Sequence, residues 1–452
     1  MDLTLEAVAA LAPDDASAKA AKGLTSAAKW PTLGANDQGV WGECQGSGSK
    51  PYQAQVDLSG PAFKCSCPSR KFPCKHGLAL LMLQAQSPAL FTASDAPAWV
   101  TEWIASRSEK AQKKEERQAE KAAAPADEQA QIRREAQRWQ RIEIAAEELQ
   151  RWLSDQIRQG LGALTDEVLK TWQTMAARMV DAQAPGLAQR VRAAAAGVRQ
   201  GESWPERTLH RLGLLQLACE ALQRRDHLAS DLQAELRAVA GWPLDKAEVL
   251  IRGEQVEDAW TVLGCSTEER DDKLTERRVW LHGHRSGRRA WLWDHAFGGK
   301  GFEQAWIPGT SVNATLAYFP GTTGLRAQTV NVHSAPAAPV WPRSTAADEW
   351  DAVARRTAAC PWVGWHPVVL PQAVVHTLDA QPGLLCNGHW LPMQITNEDL
   401  WTLTAASGGH PLSVVGEWDG QNFAPLTAWH GAKATPPAAS NCTAPVWQRG
   451  QA

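Results

Sequence analysis

The chain has 452 residues, with 46 basic and 49 acidic side chains and a net charge of −3. That length holds about two to four domains of ordinary size, and the near-balance of charge excludes a globally basic nucleic-acid binder, leaving only a local patch for such contacts. No apolar run approaches a membrane span, and residues Met1 to Glu6 lack the basic start of a signal peptide, so a cytoplasmic location is the expectation.

In chain order, Leu3 to Leu11 and Ala16 to Ala28 read as two Ala-rich helices separated by Pro13, Asp14 and Asp15. Val40 to Gln45 and Tyr52 to Leu58 flank a turn-like stretch from Gly46 to Pro51. The alternation of Tyr52, Ala54, Val56 and Leu58 marks a hairpin. Ser59, Gly60 and Pro61 then turn the chain into an extended segment, Ala62 to Cys67. Cys44, on the first hairpin strand, is either a spare metal ligand or a small core residue, and the core reading is favoured.

The stretch from Cys65 to His76 carries the chemistry. Cys65, Cys67, Cys74 and His76 form the pattern C-x-C, six residues, C-x-H, the donor set of a closed tetrahedral zinc site. Two residues apart on an extended chain, Cys65 and Cys67 put both sulfurs on one side. On a helix the same spacing would oppose them. Cys74 is therefore expected in the turn before a helix and His76 in its first turn, with Pro73 making the bend. From Lys75 a short apolar helix follows. Lys64, Arg70, Lys71 and Lys75, with no carboxylate between Pro61 and Gln86, favour thiolates and leave the zinc-loaded stretch at +3. The other six of the nine cysteines are dispersed, which argues against a disulfide framework.

These ligands, with Trp41 to Cys44, Gly46 to Tyr52 and Cys67 to His76 around them, resemble the bacterial SWIM zinc finger family. The resemblance covers roughly the first quarter of the chain. It implies a ββα unit holding one structural zinc on Cys65, Cys67, Cys74 and His76. It also implies a genomic setting beside a MoxR-type AAA+ ATPase and a von Willebrand A-domain protein, and a DNA-binding role of the kind usually proposed for such fingers.

Residues 1–106 are thus expected to form an N-terminal domain, with the finger at about 52–86 and a last short helix at Trp99 and Trp103. Residues 107–126, dense in Lys, Glu, Gln and Ala, read as a charged helix or linker. From 127 to 243 the apolar period is helical: Trp139, Ile142, Ala146, Leu149 and Leu153 recur at three- and four-residue steps, as do Leu164, Val168, Trp172, Met175 and Met179. A bundle of about five helices follows. Cys219 reads as buried filler.

Residues 244–432 turn β-rich. Strands are expected at Asp258 to Gly264, Arg277 to His282, Arg289 to His295, Gln304 to Ile307, Val312 to Phe319 and Leu325 to Val330, and again at Val374 to Leu378, Leu384 to Leu391, Leu400 to Ala405, Leu412 to Glu417 and Asn422 to Trp429. One helix, Ser344 to Ala359, interrupts them, and the Pro/Ala-rich tail 433–452 reads as loose. Of 23 tryptophans, 14 lie from Trp260 onward. Sheet aromatics can stack bases, but packing is the favoured reading because the strands carry few lysines. His282 and His284 with Arg285, Arg288 and Arg289 read as a cationic hairpin loop rather than a second metal site.

The fold class is accordingly α+β multidomain: a ββα zinc module, a helical bundle and a Trp-rich mixed β domain. No G-x-x-x-x-G-K-[ST], H-E-x-x-H or G-x-S-x-G pattern occurs, and four protein ligands would leave zinc no open position, so no enzyme is expected. Two functions are carried forward: a zinc-folded adaptor joining proteins, and a DNA-binding protein using Lys64, Arg70, Lys71 and Lys75.

Overall fold

The structure is a computed structural model, and it describes residues 5–9, 11–12, 15–46, 50–58, 62–69, 73–93, 95–107, 109, 128–242, 244–270, 274–297, 302, 304–333, 339–430 and 445–450. Most of the charged segment 107–126 and most of the tail 433–452 lie outside them.

The N-terminal module is a five-stranded sheet with helices on it. Strands β1 (Thr32–Ala35), β2 (Gly39–Cys44), β3 (Tyr52–Asp57), β4 (Ala62–Cys65) and β5 (Thr92–Ala93) run in the order β4-β3-β2-β1-β5. The hairpin expected around Gly46 is β2–β3, with Cys44 opposite Tyr52. Helix α3 (Lys75–Gln86) buries Leu78, Leu80, Leu81 and Leu83. Val8 of α1 (Leu5–Ala9) and Ala21 of α2 (Asp15–Lys22) complete that core, so the two N-terminal helices do pack beneath the finger. Helical residues 98–107, α4, are tied back to the sheet by Arg107 Nε, 3.0 Å from Asp57 Oδ2.

The bundle consists of α5 (Glu128–Gln159), α6 (Asp166–Asp181), α7 (Pro185–Ala196), α8 (Trp204–Gln223) and α9 (Ser230–Val239). Ile142, Leu149, Trp172, Met175, Met179 and Cys219 fall in one core, as their periodicity requires. Gly186 lets the start of α7 lie on the end of α9: its N–H donates to Ala240 O at 3.1 Å, and a Cβ there would stand 2.3 Å from Val239 O.

The β half forms two sheets. After α10 (Lys246–Arg252), strands β6 (Gln255–Arg270), β7 (Leu274–Gly283), β8 (Arg289–Phe297), β9 (Ser311–Tyr318) and β10 (Arg326–Val332) close a barrel in the order β10-β8-β7-β6-β9. β8 and β10 are parallel, and the other neighbours antiparallel. Helix α11 (Ala346–Ala359) leads to the second sheet: β11 (His366–Leu378), β12 (Gln381–Cys386), β13 (His389–Pro392), β14 (Leu412–Trp418), β15 (Phe423–His430) and β16 (Trp447–Gln448). Its order is β13-β12-β11-β14-β15-β16. Leu263 and Trp280 of the barrel meet Val369, Val415 and Leu426 of the sheet in one apolar seam. Within it Glu417 accepts from Arg278 at 2.9 and 3.1 Å and from Trp280 Nε1 at 2.7 Å.

Four expectations are corrected. Leu400 to Ala405 is not a strand but the middle of α12 (Asn397–Ser407), which Thr396 caps by accepting from Asp399 N and which Gly408 ends at φ +54. Leu384 to Leu391 is not one strand but the β12–β13 hairpin, turning at Asn387 and Gly388, both at positive φ. Gln304 to Ile307 forms no strand; Trp306 plugs the barrel core while Ile307 enters the N-terminal core. The end of the tail is not loose: β16 pairs with β15, and Trp447 is buried with its Nε1 donating to Thr402 Oγ1 at 2.9 Å.

Candidate metal centre

The four ligands come from three kinds of local structure. Cys65 ends β4, Cys67 follows in the turn, Cys74 is the residue that caps α3, and His76 lies in the first turn of that helix. Cys74 has extended geometry (φ −76°, ψ 161°), and its thiol makes no capping hydrogen bond, which leaves the sulfur for a metal. Ser66 N donates to Gln53 O at 3.0 Å and Ser66 Oγ accepts from Gln53 N at 2.9 Å, which carries the β3–β4 pairing past Cys65.

The donor atoms of Cys65, Cys67, Cys74 and His76 all lie within 4.8 Å of one another, with Cys65 Sγ 3.8 Å from His76 Nδ1. A tetrahedral zinc with Zn–S of about 2.3 Å and Zn–N of about 2.0–2.1 Å separates its donors by roughly 3.5–3.8 Å. The side chains therefore fit the ion with small adjustments. Three sulfurs and an imidazole are the donors that zinc prefers among the common divalent ions. The cluster is thus a Cys3His site for one structural zinc.

Packing fixes the ring and the backbone of the site. Tyr52 of β3 lies over the His76 imidazole, with centroids 4.9 Å apart and planes tilted by 36°. Gly46 is needed beside it, because a Cβ there would stand 2.5 Å from the Tyr52 ring. Phe63 of β4 packs on Gly77. Sequence reading missed the role of Tyr52, although its position opposite Cys44 on the hairpin was the available signal.

Beside the surrounding cations, contacts within the cluster move Cys65 and Cys67 in opposite directions. Hydrogen bonds with Cys67 and Cys74, and then burial, push the Cys65 thiol up; hydrogen bonds with Cys65 and Cys74 hold Cys67 far down as the thiolate. Burial alone would lower His76, but hydrogen bonds with Cys67 and Cys74 and their charge push it up to about 9. Zinc binding must therefore displace the protons that Cys65 and His76 retain.

Lys64 on β4 and Lys75 at the start of α3 are exposed on either side of the cluster. Arg70 and Lys71 lie outside the described residues. Cys44 is fully buried in the module core, with burial raising its thiol, and it is not in the metal cluster. Around the β7–β8 turn, His282 Nδ1 pairs with Arg289 and His284 Nε2 lies 2.7 Å from Thr261 Oγ1. Among the described residues the Cys65 cluster is the group with metal-ligand spacing. No helix among them is long and apolar enough to cross a membrane.

Comparison with curated proteins and with solved structures gave no match. Residues 55–84 match the family model of the SWIM zinc finger, and residues 137–240 match that of the SWIM-associated four-helix bundle domain. The first contains all four ligands and the second spans most of α5 through α9. The chain therefore carries a SWIM-type zinc finger with a Cys3His site for zinc, followed by a helical bundle of the kind that accompanies such fingers.

Proposed function

We propose that the chain is a non-enzymatic adaptor in the cytoplasm, in which zinc holds a small docking module in shape and the remaining domains present further protein-binding surfaces. The observation that carries this reading is the closed donor set: four protein side chains fill a tetrahedral ion, which leaves no position for water or substrate. Zinc then folds and presents β4, the ligand loop and the start of α3. A MoxR-type AAA+ ATPase acting with a von Willebrand A-domain protein is the partner class proposed. Affinity capture of the native chain from its own cells, followed by mass spectrometry, tests it. Recovery of an ATPase in zinc-dependent and nuclease-insensitive amounts supports the adaptor; recovery only through nucleic acid contradicts it.

A second reading, DNA binding by the finger, is favoured by the exposure of Lys64 and Lys75 beside the metal. With Arg70 and Lys71 it offers at most four phosphate contacts, so log affinity should fall with log salt at a slope of about −3.6 or shallower. Loss of that slope on replacing the four cations by Ala would support it. A salt-independent affinity would not.

A further inference from the structure

The tryptophans of the β half are arranged in a way that core packing does not exhaust. Within the barrel, Val279, Leu281, Ala290 and Leu292 point inward, so Trp280 of β7 and Trp291 and Trp293 of β8 stand on the outer face. Trp280 and Trp291 are opposite each other across the two strands, 5.9 Å apart and 23° from parallel, and Trp291 and Trp293 are 5.7 Å apart and 24° from parallel. The three indoles make a continuous stacked row. Trp280 is closed off by the second sheet and by its hydrogen bond to Glu417, but Trp291 and Trp293 are only half-buried.

A cavity of about 240 Å³ lies against this row. It is walled by Trp280, Trp291, Trp293 and Trp365, closed by the β9–β10 loop from Phe319 to Leu325, and reached by Arg190 of α7, Glu235 of α9 and Arg326 of β10. The strand order around the barrel, taken from its first strand, is first, second, third, fifth, fourth, the order that closes an OB-type barrel. In that architecture the face of the second and third strands and the loop between the fourth and fifth are where oligonucleotides and oligosaccharides bind. Here those two elements, β7–β8 and the Phe319 to Leu325 loop, are the ones that bound the cavity.

Charge decides what the cavity suits. A larger neighbouring cavity of about 1060 Å³, on the other side of the same loop, is electrically cancelled: Arg237 meets Glu135, Arg252 meets Glu248, Arg288 meets Glu254 and Arg289 meets Glu349. The indole cavity is not. Arg190 Nη2 donates to Trp362 O at 3.2 Å, and no carboxylate is within ion-pair distance of it among the described residues. Arg326 lies over Phe319 at 4.3 Å and Trp293 at 5.5 Å and makes no ion pair within 4.0 Å among the described residues, though the charge of Glu235 reaches it. Glu235 supplies the one carboxylate, and it is engaged by Thr322 N at 3.0 Å and Thr323 Oγ1 at 3.4 Å. Two guanidiniums against one carboxylate leave an excess positive charge, and burial lowers the pKa of both arginines, opposed by Cys360 at Arg190 and by the charge of Glu235 at Arg326.

We propose that this cavity binds a nucleobase carrying a phosphate, the base lying against the indoles of Trp291 and Trp293 where they line the cavity and the phosphate at its mouth on Arg190 and Arg326. Its volume is below the roughly 300–1,000 Å³ of pockets that enclose a drug-sized ligand, so a single base enters and the sugar-phosphate stays outside. Contact with indoles accepts any base, and specificity for sequence is not expected. The site is independent of the zinc finger and of the function proposed for it. Its ligand is either a free nucleotide or the phosphorylated end of a single strand.

The test is calorimetric titration of the full zinc-loaded chain with AMP, UMP, adenosine, uridine and a 5′-phosphorylated ten-residue oligothymidylate. The proposal expects 1:1 binding of the monophosphates, at least tenfold weaker binding of the nucleosides, and about tenfold or greater losses in Trp291→Leu and Arg326→Met. Trp291→Phe and Arg326→Lys should restore most of the affinity, and the zinc content should stay unchanged in all four variants. Competition by the oligonucleotide would identify a strand end as the source; nucleotide binding without oligonucleotide binding would identify a free nucleotide. Absence of binding by every probe, equal binding of nucleosides and nucleotides, or affinity indifferent to both Trp291→Leu and Arg326→Met would overturn it.

Discussion

Replacing Cys74 by Ser removes the ligand at the joint between the turn and α3. The metal ties β4 at Cys65 to the first turn of α3 at His76 and so closes a loop of about a dozen residues, which restrains the unfolded chain as a crosslink of that span would, worth about 3 kcal/mol. The apparent zinc affinity of finger peptides, about 10–16 kcal/mol, is an upper limit, because this module also has a core of its own in Leu78, Leu80, Leu81 and Val56. For a module of roughly a hundred residues, 3 kcal/mol corresponds to a fall in melting temperature of about 12–24 °C. Cys74→Ser should therefore lose zinc and show hydrogen exchange accelerated by about two orders of magnitude in α3, with the bundle peptides from α6 to α9 unchanged. Stoichiometric zinc in the variant, or α3 protected as in the parent chain, would refute the reasoning.

Other expectations concern the bundle and the β half. Glu417→Leu leaves Arg278, at the barrel–sheet seam, with the partly exposed Glu268 as its carboxylate partner among the described residues, beside the Ser266 hydroxyl, and should cost about 3–5 kcal/mol in urea unfolding of the C-terminal half without altering zinc content. Gly186→Ala drives a methyl into the Val239 carbonyl and should destabilise the bundle by about 1–3 kcal/mol or more, seen as an earlier helical melting step in circular dichroism. Burial, with the charge of Arg289 and His284, holds His282 down at about 3, and burial with Arg356 holds His366 at about 4. Both are depressed below the unfolded value of about 6.5, so their contribution is complete above it and is lost as pH falls from there toward the folded values. Melting temperature should drop between pH 7 and pH 5, and His282→Gln with His366→Gln should flatten that slope. A slope unchanged in the double variant would count against it.

The zinc site was legible because its ligands lie within twelve consecutive residues and their spacing has only one arrangement on a strand, a turn and a helix. The bundle was legible from periodicity, since Trp172, Met175 and Met179 have to share a face. The β half was readable as strands but not as sheets: closure of the barrel depends on the parallel pairing of β8 with β10 and on a bulge at Val262 and Gly264 that lets β6 serve two neighbours. No local pattern encodes that. The α12 error came from weighing the β-forming run Leu400 to Ala405 above its capping signals, Thr396 with Asp399 three residues later, which were present in the sequence. Asn387 and Gly388 were likewise a hairpin turn in plain view. At the finger the surrounding cations are one of two influences on the thiols. Exposed lysines act on the thiols through solvent, while the thiols act on one another at contact distance, so the cluster's own hydrogen bonds decide which sulfur ionises.

The most direct test of the central claim is the metal content of the native chain purified under reducing conditions, joined to X-ray absorption at the zinc edge. We expect one zinc per chain, with three sulfurs at about 2.3 Å and one nitrogen at about 2.0–2.1 Å, and no bound water. A chain that folds its N-terminal sheet with no stoichiometric zinc, or a shell containing fewer than three sulfurs or an oxygen from solvent, would contradict the account.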